Sequence, residues 1–382
     1  MATVGRFFDP PQGSFFLFGP RGTGKSTWLR RHFPDALWLD LLDPDLSRRL
    51  MANPRLLREM LDAHPHTQDV VLDEVQRVPD VLTVVHQLIE ERRARFVLTG
   101  SSARKLKRSG VDLLAGRAGM RSMHPFMASE LGSSFDLGRA LEMGLLPLVW
   151  DSPEPAVTLK GYAGLYLREE VQQEGLVRRM DQFARFLEAI SFSHGGVVNL
   201  SEIARECQVS RKTVEGYLQI LEDLLLCFRI FVFTKRAQRQ LVSHPKFYLF
   251  DVGVFQSLRP RGLLDSASEL GGQALEGLVA QHLRAWIDLS QIDCKLYYWR
   301  TRAGNEVDFV VYGAAGFWAV EVKRGATIQP ADLSGLRSFG ADYPEARLIL
   351  LYGGRESFVR DDVWCLPVDA FLRQLRPSQP LL

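Results

Sequence analysis

The stretch SFFLFGPRGTGKSTWLRRHF (residues 14–33) sets an apolar run, a glycine-rich turn and a helical pattern in succession. Gly19, Gly24, Lys25 and Ser26 satisfy G-x-x-x-x-G-K-[ST], and the loop Gly19, Pro20, Arg21, Gly22, Thr23, Gly24, Lys25, Ser26 and Thr27 is the candidate nucleotide cradle. The chemistry requires these residue types. Glycines let backbone N–H groups curl round phosphate oxygens, and a helix opening at Lys25 adds its positive end. Lys25 is placed to neutralise the β- and γ-phosphates, and Ser26 offers its hydroxyl to Mg²⁺.

Working outward, a site of this kind needs carboxylates at a second strand end. QDVVLDEVQRV (68–78) supplies an apolar strand ending in Asp73 and Glu74. Asp73 is assigned to the Mg²⁺ shell and Glu74 to polarising a water; the plain alternative is an acidic pair capping the next helix. A third strand, RFVLTGSSA (95–103), ends in Thr99 and Ser101, either of which is a candidate sensor of the γ-phosphate between the other two strands. Arg117 in LLAGRAG is a candidate phosphate contact, to its own or a neighbouring subunit's nucleotide, or else a surface arginine.

These residues resemble the AAA+ class of P-loop ATPases over residues 12 to 128, and LDEVQRVPD, LTGSSA and LAGR resemble a group of prokaryotic ATPases with a further C-terminal domain. The resemblance implies ATP (and ADP) binding, slow hydrolysis and, often, homo-oligomers. An arginine finger at the spacing of ring-forming members is not evident.

At 382 residues the chain has room for several cores, and 46% apolar with 24% charged residues is ordinary for a soluble protein. A net charge of +2 announces neither nucleic acid nor membrane, but basic clusters occur at 103–108, 205–212 and 234–240. Most such clusters are solvated faces. Cys207, Cys227, Cys294 and Cys365 form no CxxC pair, so neither a disulfide framework nor a cysteine zinc site is expected. With no leader-like N-terminus and no run of spanning length, a cytoplasmic protein without a membrane partner is expected.

The predicted order is an ATPase core (1–128), a helical lid (129–190), a winged helix-turn-helix (191–256) and a C-terminal α/β domain (257–382). In NLSEIARECQVSRKTVEGYLQILEDLLLC (199–227), Ser201 and Ser210 are read as helix caps around a turn at CQVS. Gln208 stands where such turns usually carry glycine. Arg211 and Lys212 open the second helix, and Lys235, Arg236 and Arg239 lie at the tip of a wing made by LLCFRIFVF and KFYLF. These five are the candidate DNA contacts. A purely protein-contacting role stays open, because winged helices on ATPases also serve as packing modules. Asp251 reads as a turn former before the next domain.

The C-terminal stretch NEVDFVVYGAAGFWAVEVK (305–323) alternates with period two, placing Glu306, Asp308 and Val310 on one strand face and Ala319, Glu321 and Lys323 on another. Carboxylates and a lysine on otherwise apolar strands mean either an ion-paired sheet face or a metal site. A preceding helix (268–287) carries Glu276 beside its apolar face. This order, with Glu276, Asp308 and Glu321-Val322-Lys323, resembles the PD-(D/E)xK nuclease superfamily, with its restriction-endonuclease-like fold. The resemblance implies that Glu276, Asp308 and Glu321 hold Mg²⁺ or Mn²⁺ and that Lys323 orients or activates water; Gln329, at the start of the next helix region, is a candidate substrate contact. The usual proline before Asp308 is absent, and Glu306 is an acid the pattern does not require.

Overall fold

A computed structural model describes residues 4–91, 93–101, 114–167, 171–172, 177, 179–235, 244–263 and 265–381. The chain divides into two compact units, one of residues 8–124 with 221–226, the other of residues 1–7, 125–220 and 227–382.

The first unit is built on strands β1 (Phe15–Phe18), β2 (Leu37–Asp40), β3 (Asp69–Asp73), β4 (Arg95–Gly100) and β5 (Gly119–Ser122). They form an all-parallel sheet in the order β2-β3-β4-β1-β5. The sequences FFLF and VVL are apolar throughout, as strands covered on both faces must be. Helices α1 (Lys25–His32), α2 (Pro44–Ala52), α3 (Leu56–Asp62) and α4 (Val81–Glu90) connect the strands. Leu50, Leu57, Leu61, Val81, Val85 and Leu88 bury with Phe16, Leu72 and Leu98 in one core. Because β4 lies between β1 and β3, the ends of all three converge. An open parallel sheet presents its ligand crevice at such carboxyl ends.

The second unit holds a nine-stranded mixed sheet in the order β13-β14-β12-β11-β10-β9-β7-β8-β6. Its strands are β6 (Gly196–Val197), β7 (Cys227–Val232), β8 (Lys246–Leu249), β9 (Cys294–Arg300), β10 (Glu306–Gly313), β11 (Gly316–Lys323), β12 (Arg347–Tyr352), β13 (Phe358–Arg360) and β14 (Val363–Pro367). The two strands expected to form a separate wing are part of it: β7 pairs in parallel with β9, setting Phe231 opposite Tyr297. The boundary drawn at 256/257 therefore cuts through one continuous sheet. Side-chain alternation predicts which face a strand buries, but not which other strand it joins.

The helices of residues 128–191 belong to this unit also. Asp251 is the joint that ties them in, and is more than a turn former. Its carboxylate accepts from Gly253 N (2.9 Å) and Val254 N (3.2 Å) of its own helix and from Leu145 N (2.8 Å). A side chain on Gly253 would come within 2.2 Å of Met143 O, so only glycine admits the close approach.

In the helix-turn-helix segment the helices run Leu200–Glu206 and Arg211–Asp223. Ser210 caps the second, accepting from Thr213 N at 3.1 Å, but the first is capped by Asn199, accepting from Glu202 N at 3.2 Å, with Ser201 inside the helix. Gln208 adopts φ 55°, the left-handed turn geometry that glycine supplies more cheaply.

Candidate functional site

In the first unit, Gly22 (φ 83°) and Gly24 (φ 87°) turn the loop through conformations that side chains resist. A side chain on Gly19 would meet Met123 O at 2.5 Å. Lys25 is buried and donates from Nζ to Gly19 O (2.6 Å) and Pro20 O (3.3 Å), so its ammonium is held inside the curl of the loop. Thr23 Oγ1 braces the same turn by donating to Pro20 O at 2.8 Å.

The motifs meet at Asp73. Ser26 Oγ donates to Asp73 Oδ2 at 2.7 Å, and Thr99 Oγ1 donates to Asp73 Oδ1. Thr99 Oγ1 also accepts from Glu74 N at 3.2 Å. Strand order explains why: β4 sits between the loop-bearing strand and the acidic one, so its terminal hydroxyl reaches the carboxylate. Glu74 stands in left-handed backbone (φ 59°), where a non-glycine residue stores strain, and this turns it out of the strand direction. Its carboxylate takes bonds from Gln76 Nε2 and, at 3.5 Å, Ser101 Oγ; Gln76 Nε2 lies 3.1 Å from that hydroxyl. Sequence reasoning passed over Gln76, although its place two residues after the acidic pair was visible. Arg117 pairs with Glu90 at the end of α4. The donor set suits a nucleotide with Mg²⁺: an inward ammonium, loop N–H groups and a hydroxyl–carboxylate pair.

In the second unit, β10 and β11 form the expected hairpin, with Phe309 opposite Val320 and Gly313 opposite Gly316. Asp308 and Glu321 exchange contacts: Asp308 N donates to Glu321 Oε2 (3.3 Å), and Val322 N to Asp308 Oδ2 (2.9 Å). Lys323 Nζ donates to Glu321 Oε1 at 2.6 Å. Strict alternation fails nearby. Pairing with β9 is irregular between Val307 and Val310, and both valines enter one apolar core with Ala319 and Leu350. Val310 therefore packs with Val307, an odd spacing that a bulge permits and the simple period forbids.

Glu276 joins the cluster from the helix Ala267–Ser290, whose expected apolar face of Leu275, Leu278, Val279, His282 and Trp286 is buried. Its partners come from β8, which sequence reasoning had assigned to the wing. Lys246 Nζ lies 3.1 Å from Glu276 Oε1, 2.5 Å from Glu306 Oε1 and 3.4 Å from Asp308 Oδ1. Tyr248 O–H donates to Glu276 Oε1 at 2.6 Å. Burial alone would lower the Lys246 pKa, but Tyr248 and the surrounding carboxylates outweigh it and hold it well above the usual lysine value. Burial, then Asp308, pushes Glu276 up to about 7 and Glu321 to about 8, against the pull of the lysines.

The expected Mg²⁺ or Mn²⁺ does not fit this set as it stands. Among the described residues no group of three or more His, Cys, Asp or Glu side chains is arranged to hold a metal ion. Glu276, Glu306 and Asp308 instead point at an ammonium. Gln329 opens a short helical turn, its N–H donating to Asp332 Oδ2 at 2.8 Å.

Of the candidate DNA contacts, Arg211 and Lys212 are exposed at the start of their helix, and Arg211 Nε reaches Glu215 Oε1 at 3.1 Å. Lys235 Nζ lies 4.4 Å from the centre of the Tyr312 ring. Arg236 and Arg239 lie outside the described residues.

Residues 12–132 match the model of the AAA domain family. Residues 134–265 and 271–371 match two domains of unknown function, DUF8612 and DUF4143. The chain is 28% identical over 367 residues to the uncharacterized protein Rv2008c of Mycobacterium tuberculosis, covering 93% of this chain and 80% of that protein. The same figures hold for Mb2031c of Mycobacterium bovis. A solved structure of the replication initiator DnaA, bound to AMPPCP and single-stranded DNA, is similar at 16% identity and a TM-score of 0.30, over 55% of this chain and 82% of that one. Protein VC1899 from Vibrio cholerae is similar at 12% identity and a TM-score of 0.22, over 95% and 96%. The first domain is an AAA-type P-loop domain, as its motifs predict, and nucleotide binding is the function this supports. No helix among the described residues is long and apolar enough to cross a membrane.

Proposed function

We propose that the protein binds and hydrolyses ATP in its first domain and uses the nucleotide cycle as a switch. The observation that carries this reading is the chain of bonds from Ser26 through Asp73 to Thr99, with Glu74 next in sequence. Lys25 and the loop N–H groups would bind the β- and γ-phosphates. Ser26 and Asp73 would hold Mg²⁺, which supplies charge neutralisation when bound. Glu74 would accept the proton of the attacking water once freed from Gln76 and Ser101. Lys25→Ala should abolish turnover; turnover equal to wild type in that variant would overturn the assignment.

The switch reading is preferred to ATP-controlled DNA cleavage because Lys246 stands among the acids that cleavage would need for metal. A second reading, DNA contact, is favoured by one observation: Arg211 and Lys212 are exposed at the start of a capped helix. Fluorescence anisotropy with duplex and single-stranded DNA at low salt, with and without ATP, tests it. Nucleotide-dependent binding lost in Arg211→Ala/Lys212→Ala would support DNA contact. Negligible affinity even at low salt would leave a switch acting through protein partners, homo-oligomers included.

A further inference from the structure

Glu276, Glu306, Asp308 and Glu321 meet two lysines whose positions differ. Lys323 is partly exposed and pairs with Glu321. Lys246 is sealed, its side chain 4% exposed, and one nitrogen reaches Glu276, Glu306 and Asp308. It is delivered by β8, a strand of four buried residues, KFYL. Lys246 and Tyr248 are two apart and so share a face, and both engage Glu276 Oε1. A lone lysine on such a strand would be costly; three carboxylates around it make it tenable.

A divalent cation bound here would draw on the same oxygens at about 2.0–2.6 Å. It would then stand against an ammonium already in contact with them. Other carboxylate oxygens of the cluster are engaged as well: Asp308 Oδ2 by Val322 N, Glu321 Oε1 by Lys323, Glu321 Oε2 by Asp308 N and Glu306 Oε2 by Arg300.

We propose that Lys246 is the resident cation of this cluster: its ammonium stands where a nuclease-like carboxylate set would hold Mg²⁺ or Mn²⁺, and it fastens β8 to β10 and to the helix Ala267–Ser290. The cluster is then an internal ionic knot of the second unit. This holds whether or not the first domain hydrolyses ATP.

The test is an electron paramagnetic resonance titration of Mn²⁺ into nucleotide-free, full-length protein. The wild type should show no Mn²⁺ site that depends on Asp308. Lys246→Ala and Lys246→Met, the latter keeping much of the aliphatic bulk, should each gain a one-to-one site that disappears when Asp308→Asn is added. Mn²⁺ held by the nucleotide domain would survive Asp308→Asn, which separates the two. A one-to-one site in the wild type that is lost in Asp308→Asn would overturn the proposal. So would the absence of any new site in Lys246 variants shown by circular dichroism to be folded. Should neither variant fold, the wild-type titration still decides: an Asp308-dependent site overturns the proposal, and its absence supports it.

Discussion

Ser26 Oγ donates to Asp73 Oδ2 across 2.7 Å, joining two motifs 47 residues apart. The contact makes one unit of the two residues proposed above to hold Mg²⁺. Ser26→Ala should lower ATP turnover by about 10²-fold or more, the scale of losing one charge-stabilising group. Glu74→Gln should retain nucleotide binding and lose about 10²–10⁴-fold in turnover, as a general base would. Phosphate release beside equilibrium binding of a fluorescent ATP analogue separates the two; weakened binding in Glu74→Gln would argue against its role as base.

Gln76 holds Glu74 from two residues away and bonds Ser101 at 3.1 Å. As a positioning residue it should act on kcat with little change in KM. Gln76→Leu should therefore shift turnover several-fold, while Gln76→Asn, too short to reach Glu74 in the same way, should behave like Gln76→Leu. Equal effects on kcat and on ATP affinity would point to a merely structural role.

His282 is fully buried, its Nε2 accepting from Ala128 N at 2.9 Å and its Nδ1 placed 2.7 Å from Leu278 O. Burial lowers its pKa to about 4, well below the ordinary 6.5. The sign follows: the unfolded chain takes up the proton first, so stability is present above about pH 6.5 and declines as pH falls toward 4. At about pH 5 the loss from this group is roughly 2 kcal/mol. Urea unfolding at neutral and mildly acid pH should show a smaller decline in His282→Gln than in wild type; equal slopes would contradict the assignment.

Glu321 titrates in the opposite sense. Its folded pKa of about 8 lies above the unfolded value of about 4.5, so its contribution is fully present below 4.5 and is lost as pH rises through 8. Glu321→Gln keeps an acceptor without the charge. Between about pH 6 and about pH 9 the urea midpoint should fall less in Glu321→Gln than in wild type, and an unchanged fall would show that the carboxyl is not the source.

The nucleotide site was legible because its residues lie in short contiguous runs. The eight positions from Gly19 to Ser26 are close through local backbone geometry alone, and the apolar strands feeding Asp73 and Thr99 announce themselves by composition. The hairpin at 306–323 and the face of the helix Ala267–Ser290 were readable for the same reason, since period two and period 3.6 are local properties.

Only the tertiary structure decided what the C-terminal acids do. Lys246 meets Asp308 across 62 residues because β7, β8 and β9 lie side by side, and no local pattern specifies strand order. The irregularity between Val307 and Val310 likewise arises from pairing with β9, and it breaks the alternation on which the face assignment rested. The sequence by itself determined a phosphate-binding loop, its acidic partner and a strand-borne carboxylate set. The fold alone decided that a lysine from a distant strand closes over that set, because burying its charge is tolerable only where several carboxylates converge.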